Sequence, residues 1–199
     1  MQSINQNKSF SGKCRYLLFW VFVTLSFTIV KAQVTPSSSQ NFIYSRVIVK
    51  EGVKTATDLA VLPVDSMRAE IQYFDGLGRP LQNIAVRSSP NKKDIITPIV
   101  YDAFGRQDKS YLPYEHNSQT GAYQPTAVTA QGSFYSTAGA GSIPQILNPF
   151  GQTIFEASPL NRPLESAAPG ASWKVGNGHT IRTGYEINVA SEVRLWNIT

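Results

Sequence analysis

Two stretches, Tyr73-Phe74-Asp75-Gly76-Leu77-Gly78-Arg79 and Val100-Tyr101-Asp102-Ala103-Phe104-Gly105-Arg106, share one pattern: aromatic, aspartate, two variable positions, glycine, arginine. The spacing is that of a tight hairpin. An aspartate at the first turn position can accept hydrogen bonds from backbone N–H groups two residues on. A glycine at the fourth position can take positive φ and complete a type I turn with a bulge. The aromatics Phe74 and Tyr101 then close one strand, while Arg79 and Arg106 open the next and extend their stems over the aromatic face. A weaker copy is Ile154-Phe155-Glu156-Ala157-Ser158-Pro159-Leu160-Asn161-Arg162, with Glu156 for Asp, two extra residues, and Asn161 for Gly. Asparagine is among the few residues that tolerate the left-handed conformation. Phe74, Asp75, Gly78, Arg79, Tyr101, Asp102, Gly105, Arg106, Phe155, Glu156, Asn161 and Arg162 are therefore the candidate turn residues.

Outward from these turns the chain reads as strands. Ten of its twelve prolines fall between Pro80 and Pro169, and proline breaks helix interiors, which leaves little room there for long helices. Short runs rich in β-branched and aromatic residues fill the gaps. Strands are expected over residues 42–49, 69–74, 81–87, 95–101, 107–112, 152–155, 180–188 and 192–196. Within 69–74 the alternation is clean, with Ala69, Ile71 and Tyr73 on one face and Glu70, Gln72 and Phe74 on the other. Residues 55–62 suit a short helix. Between 113 and 149 regular patterning fades, and TAGAGS at 137–142 looks like a mobile loop. The fold class is all-β, mainly antiparallel hairpins with a long irregular insertion loop. The final strand, 192–196, would leave an open edge inclined to pair with a further strand.

The N-terminus reads as an export signal. Lys8, Lys13 and Arg15 precede an apolar run over residues 16–30, and Val30-Lys31-Ala32 places small residues where cleavage requires them. The run falls short of the ~20 residues that a membrane-spanning helix needs. The organisation expected is a signal peptide over 1–32, a flexible leader over 33–40 and a β-rich domain over 41–199, with the insertion at about 113–149. The chain has 199 residues, 18 Lys+Arg and 13 Asp+Glu. Four of the basic residues and no acidic residue lie before residue 33, leaving the body fourteen against thirteen, a net +1. Such a balance argues against nucleic acid as a partner, since phosphate-backbone binding rests on many Lys and Arg contacts. The single cysteine, Cys14, lies in the signal, so disulfides, thiolate metal sites and a cysteine nucleophile are excluded from the exported body. No membrane association is expected after cleavage.

Catalytic chemistry finds little support. His116 and His179 stand far apart in turn-like settings, and Glu115 next to His116 would point to the opposite side of an extended chain. No zinc-protease, nucleophile-elbow, phosphate-loop or EF-hand spacing occurs. Gly76-Leu77-Gly78 lacks the third glycine and the helix of a dinucleotide loop. Asp75, Asp102 and Glu156 would converge if the three turns packed side by side, as a glycosidase or calcium site requires. Because each copy carries its own arginine, pairing within the turn is the expected fate of each carboxylate. No metal or cofactor is implied, and the aromatics fit a core, with Trp173 and Trp196 as candidates for exposure.

The turns resemble the YD repeats of bacterial RHS/YD-repeat proteins, whose signature is Tyr-Asp followed by Gly-Arg; Tyr101-Asp102 matches it strictly. Residues 71–81, 96–114, 149–170 and 173–196 resemble the uncharacterised domain that follows the signal peptide in long secreted members. That resemblance implies an exported protein, secreted or at the cell surface. Its partner would be a downstream RHS/YD-repeat segment of the same or a neighbouring chain. The family's repeats wind into a hollow β shell that in some members encloses a C-terminal toxin; this sequence shows no long repeat array and no toxin segment. The expectation is a non-catalytic structural module. A surface-binding module using exposed aromatics to hold a cell-surface glycan or protein is the alternative, and an enzyme built on clustered carboxylates a third reading.

Overall fold

The alternation over residues 69–74 produces the strand it predicts. In the computed structural model, which describes residues 34–60, 62–63, 66–137, 143–187, 189 and 192, β2 (Met67–Phe74) buries Ala69, Ile71 and Tyr73. Around it lie β1 (Asn41–Ile48), β3 (Pro80–Val86), β4 (Asp94–Pro98) and β6 (Tyr114–His116), in the antiparallel order β1-β2-β3-β4-β6. A second antiparallel sheet has the order β5-β7-β8-β9, from β5 (Lys109–Tyr111), β7 (Phe150–Phe155), β8 (Pro163–Ala167) and β9 (Ile181–Arg182). The chain is thus mainly antiparallel strand in two sheets, with little helix.

Register explains the core. Ile71 stands opposite Ile84, Ile84 opposite Ile96 and Ile96 opposite Tyr114, so one buried row crosses four strands of the first sheet. Each fully buried isoleucine contributes about 1.5–3 kcal/mol. A one-residue slip of any strand would turn its part of the row to the other face.

The region expected as an irregular insertion, 113–149, holds β6 and an α-helix. Helix α1 (Ala56–Ala60) is short and lies within the expected 55–62 span, while α2 (Ala127–Thr137) belongs to the insertion. Ala127, Gln131 and Tyr135 recur every fourth position and form its buried stripe. Gln131 donates from Nε2 to the carbonyls of Leu112 (3.1 Å) and Pro149 (2.6 Å), and Tyr135 donates its hydroxyl to Pro113 O at 2.6 Å. The helix therefore clamps both ends of the insertion. Asp94, fully buried, accepts the N–H groups of Arg87 and Gly121, each at 2.9 Å, and Tyr73 donates its hydroxyl to Gly121 O at 2.7 Å. Gly121 adopts φ +72° against Ile71, so no side chain fits there.

Other boundaries shift. Strand β4 ends at Pro98 rather than 101 because the chain leaves the first sheet, and β5 begins at Lys109 on the second. Residues 180–188 keep only the two-residue β9, and β8 was not anticipated. The export signal, most of the 137–142 loop, Trp196 and all but Glu192 of the last expected strand lie outside the described residues. Among the described residues no helix is long and apolar enough to cross a membrane.

Candidate functional site

The candidate residues fold into three turns of one chemistry. In the first, Asp75 Oδ1 accepts the N–H groups of Leu77 and Arg79, each at 2.9 Å, and Oδ2 accepts Arg79 Nε at 2.7 Å. Asp75 N donates to Arg79 O (2.9 Å) and Gly78, at φ +77°, donates to Asp75 O (3.1 Å). In the second, Asp102 Oδ1 accepts Phe104 N and Arg106 N at 2.9 Å, and Oδ2 accepts Arg106 Nε at 2.8 Å. Gly105 takes φ +78°. The two aspartates hold their turns as the spacing predicts, because a carboxylate fixed at the first position satisfies donors that the tight bend would otherwise strand.

The third turn solves the same problem with two more residues. Ser158 Oγ accepts Leu160 N at 3.2 Å and donates to Glu156 Oε1 at 2.6 Å, relaying a bond that aspartate makes directly. Glu156 accepts Arg162 Nε on both oxygens at 2.9 Å, and Asn161 occupies the left-handed position at φ +52°. Backbone N–H donation, chiefly from Arg79 and Arg106 respectively, holds the Asp75 and Asp102 carboxyls below the usual range. The Arg162 guanidinium and the Ser158 hydroxyl lower Glu156 to about 2, and Glu156 in turn raises Arg162.

The arginines do more than close their own turns. Expected over the aromatic that opens its own hairpin, each reaches an aromatic further along the chain, and Arg106 also lies 5.0 Å from the ring centre of Phe104 in its own turn. The guanidinium carbon of Arg79 lies 4.6 Å from the Tyr101 ring centre, that of Arg106 4.8 Å from Phe155, and that of Arg162 4.5 Å from Tyr185. A cation over an aromatic face is attracted by the ring quadrupole. A polar contact follows the same path, with Arg106 Nη1 donating to Asn161 Oδ1 at 2.9 Å, and Arg79 packs close to Gly105, its Nη1 3.2 Å from where a β-carbon there would sit. The first turn joins two strands of the first sheet, the second carries the chain between sheets, and the third joins two strands of the second sheet. The ladder therefore stitches the sheets together.

Tyr185 was missed as part of the motif. It is followed by Glu186, and this aromatic–acid pair repeats Tyr101-Asp102 and Phe155-Glu156. That dipeptide is the signal by which sequence reading could have found it.

Each of the three carboxylates is paired with its own arginine. Among the described residues no group of three His, Cys, Asp or Glu stands where it could hold a metal ion. His116 lies on β6 rather than in a turn and accepts Ser118 N at 3.1 Å, while Glu115 turns to Lys93 and Asn91. His179 Nδ1 lies 2.9 Å from Ser172 O and its ring lies beside Trp173, which is half exposed. An open groove of about 340 Å³ beside the middle turn is lined by Leu81, Gln82, Pro98, Tyr101, Tyr123 and Val128. Its buried side-chain amide, that of Gln82, is already paired with the backbone of Gln124.

Residues 46–187 match the model of a family described as a domain of unknown function, DUF6443. No curated protein and no solved structure matches the chain.

Proposed function

We propose, from the premise that the chain belongs to the DUF6443 family, that it is a non-catalytic structural module leading an exported bacterial RHS/YD-repeat protein. In this reading the precursor is cleaved after Ala32, and the body is held at the cell surface or secreted. The turn ladder seats the body against the repeat segment that follows it, in the same or a neighbouring chain. The observation that carries the reading is the double engagement of each arginine, which holds its own carboxylate and an aromatic further along the chain, that of the next turn for Arg79 and Arg106 and Tyr185 for Arg162. One turn thereby seats its successor, and a further turn of the same kind could be seated in the same way. Carboxylates neutralised within their turns are poor general acids or bases, because their pKa values are driven away from neutrality.

Two measurements test this reading. Sequencing the encoding frame beyond codon 199 should reveal further aromatic-Asp-x-x-Gly-Arg copies; a frame without them removes the repeat assignment. Intact-mass analysis of the exported product should give a chain starting at Gln33, whereas a product retaining Met1 removes the export assignment.

A second reading, a carbohydrate- or surface-binding module, rests on Trp173, 52% exposed beside His179. Glycan-array binding lost in Trp173→Ala would favour it over scaffolding.

A further inference from the structure

β1 is the outer strand of its sheet and pairs only with β2 among the described residues. Its register runs unbroken from Asn41 opposite Phe74 to Ile48 opposite Met67, without a bulge. The strand, NFIYSRVI, contains no proline, no lysine and no acid. Proteins ordinarily blunt an outer strand by shortness, charged side chains (lysine above all), proline or a bulge. The other outer strands, β6, β5 and β9, are three, three and two residues long; β1 has eight, and its one charged side chain, Arg46, lies over the Tyr44 ring of its own strand. Its apolar side chains are exposed on both faces, Ile43 by 58% and Val47 by 60% on one, Phe42 by 40% and Ile48 by 38% on the other.

The phase of the backbone is fixed as well. Val49 N donates to Ser66 O across to β2 at 3.0 Å, so odd-numbered residues of the strand direct their N–H and C=O groups inward. Phe42, Tyr44, Arg46 and Ile48 direct theirs outward, where no described strand meets them.

We propose that β1 pairs antiparallel with β1 of a second copy of this chain, about a two-fold axis through Ser45. The outward groups require an extended strand, and the side chains require one that is apolar on both faces. The same strand reversed meets both demands, as a self-complementary two-fold contact must. With Ser45 opposite Ser45, Tyr44 faces the partner's Arg46, Ile43 faces the partner's Val47 and Phe42 faces the partner's Ile48. All four outward-directed residues then meet their own kind, so each N–H finds a C=O. Arg46 already lies 5.2 Å from the Tyr44 ring centre within one strand, and the pairing adds the partner's Tyr44 directly opposite. A slip of one residue would set inward-directed groups against outward ones and reverse the faces.

Sedimentation of the full chain, titrated against itself, reads the outcome. A concentration-dependent dimer is expected. Arg46→Pro removes an outward N–H without touching a bond to β2, and Ile43→Lys with Val47→Lys sets lysine opposite lysine. Each should weaken dimerisation about tenfold or more while the thermal midpoint of the diluted monomer stays near that of the parent. Cross-linking fixes the register. In a Cys14→Ser background, Ser45→Cys should form a disulfide with itself, since paired Cα atoms ~4.5 Å apart suit one. Ile43→Cys should not cross-link alone but should do so when mixed with Val47→Cys. A monomer at every concentration, a dimer that neither edge variant weakens, or self-cross-linking through Ile43→Cys would overturn the proposal.

Discussion

The guanidinium of Arg79 lies 4.6 Å from the centre of the Tyr101 ring while its Nε holds Asp75 at 2.7 Å. One side chain thus belongs to two turns, and the Tyr101 hydroxyl completes the joint by donating to Pro80 O at 2.9 Å. The salt bridge alone adds little at a partly exposed site, because water screens it. Stacking on the neighbouring ring makes the contact directional.

That linkage is measurable as a coupling. In a double-mutant cycle, Arg79→Met and Tyr101→Leu should be non-additive by about 0.5–1 kcal/mol, the range for a partly exposed cation–aromatic pair. Arg106→Met with Phe155→Leu should couple similarly. Urea unfolding gives each corner of the cycle. Additive effects at both pairs would mean that the turns are merely neighbours.

Glycines separate backbone strain from crowding. Gly78 and Gly105 share φ near +78°, but a β-carbon at Gly78 meets nothing within 4 Å, whereas at Gly105 it meets Arg79 Nη1 at 3.2 Å. Gly78→Ala should cost only the left-handed penalty, ~1–2 kcal/mol. Gly105→Ala should cost somewhat more, because the Arg79 guanidinium over Tyr101 must shift by a few tenths of an ångström. Gly132, inside α2 with open space around it, should tolerate alanine with a gain of about 0.5–1 kcal/mol. Unfolding midpoints that rank Gly78→Ala as the more damaging of the two turn variants would contradict the ladder.

Acid should act on the third turn. Glu156 is lowered from 4.5 to about 2, first by Arg162 and then by Ser158. A carboxylate whose folded pKa lies below its unfolded one stabilises fully above the unfolded value, and loses that contribution as pH falls through the folded one. The stability difference between the parent and Glu156→Gln should therefore be constant near neutrality and shrink as pH falls from 4.5 toward 2. Chemical unfolding at a series of pH values gives this difference directly; one that grows on acidification would reverse the assignment.

The parts of this architecture legible in sequence are those encoded locally. Alternation along Ala69, Ile71 and Tyr73 gives β2 and its buried face, and Asp75 with Gly78 gives a turn whose donors and φ come out as expected. Asn161 could be assigned positive φ from its chemistry alone. Helix α2 was hidden because its buried stripe passes through Gln131, whose value lies in distant carbonyls at Leu112 and Pro149. β8 opens on Pro163 and carries Glu165 and Ser166, so its composition resembles a loop; pairing with β7 and β9 makes it a strand. The ladder itself was beyond local reading, since Arg106 and Phe155 are brought together by sheet topology rather than by spacing.

Two tyrosines of the core and its helix make opposite predictions for one atom. Tyr114 is 2% exposed, and its hydroxyl is buried without a hydrogen-bond partner among the described residues. Burial pushes its pKa up to about 12. Removing an unpaired buried hydroxyl removes its desolvation cost, so Tyr114→Phe should leave stability unchanged or raise it by up to ~1 kcal/mol. Tyr135, 7% exposed on α2, donates to Pro113 O at 2.6 Å and so fastens the helix to the start of the insertion. Tyr135→Phe strands that carbonyl and should cost about 0.5–1.5 kcal/mol. Thermal unfolding of the two variants side by side decides the matter, because each loses one oxygen from a largely buried ring. Equal losses would show that the Tyr114 hydroxyl has a partner, such as an ordered water, and that its burial is compensated.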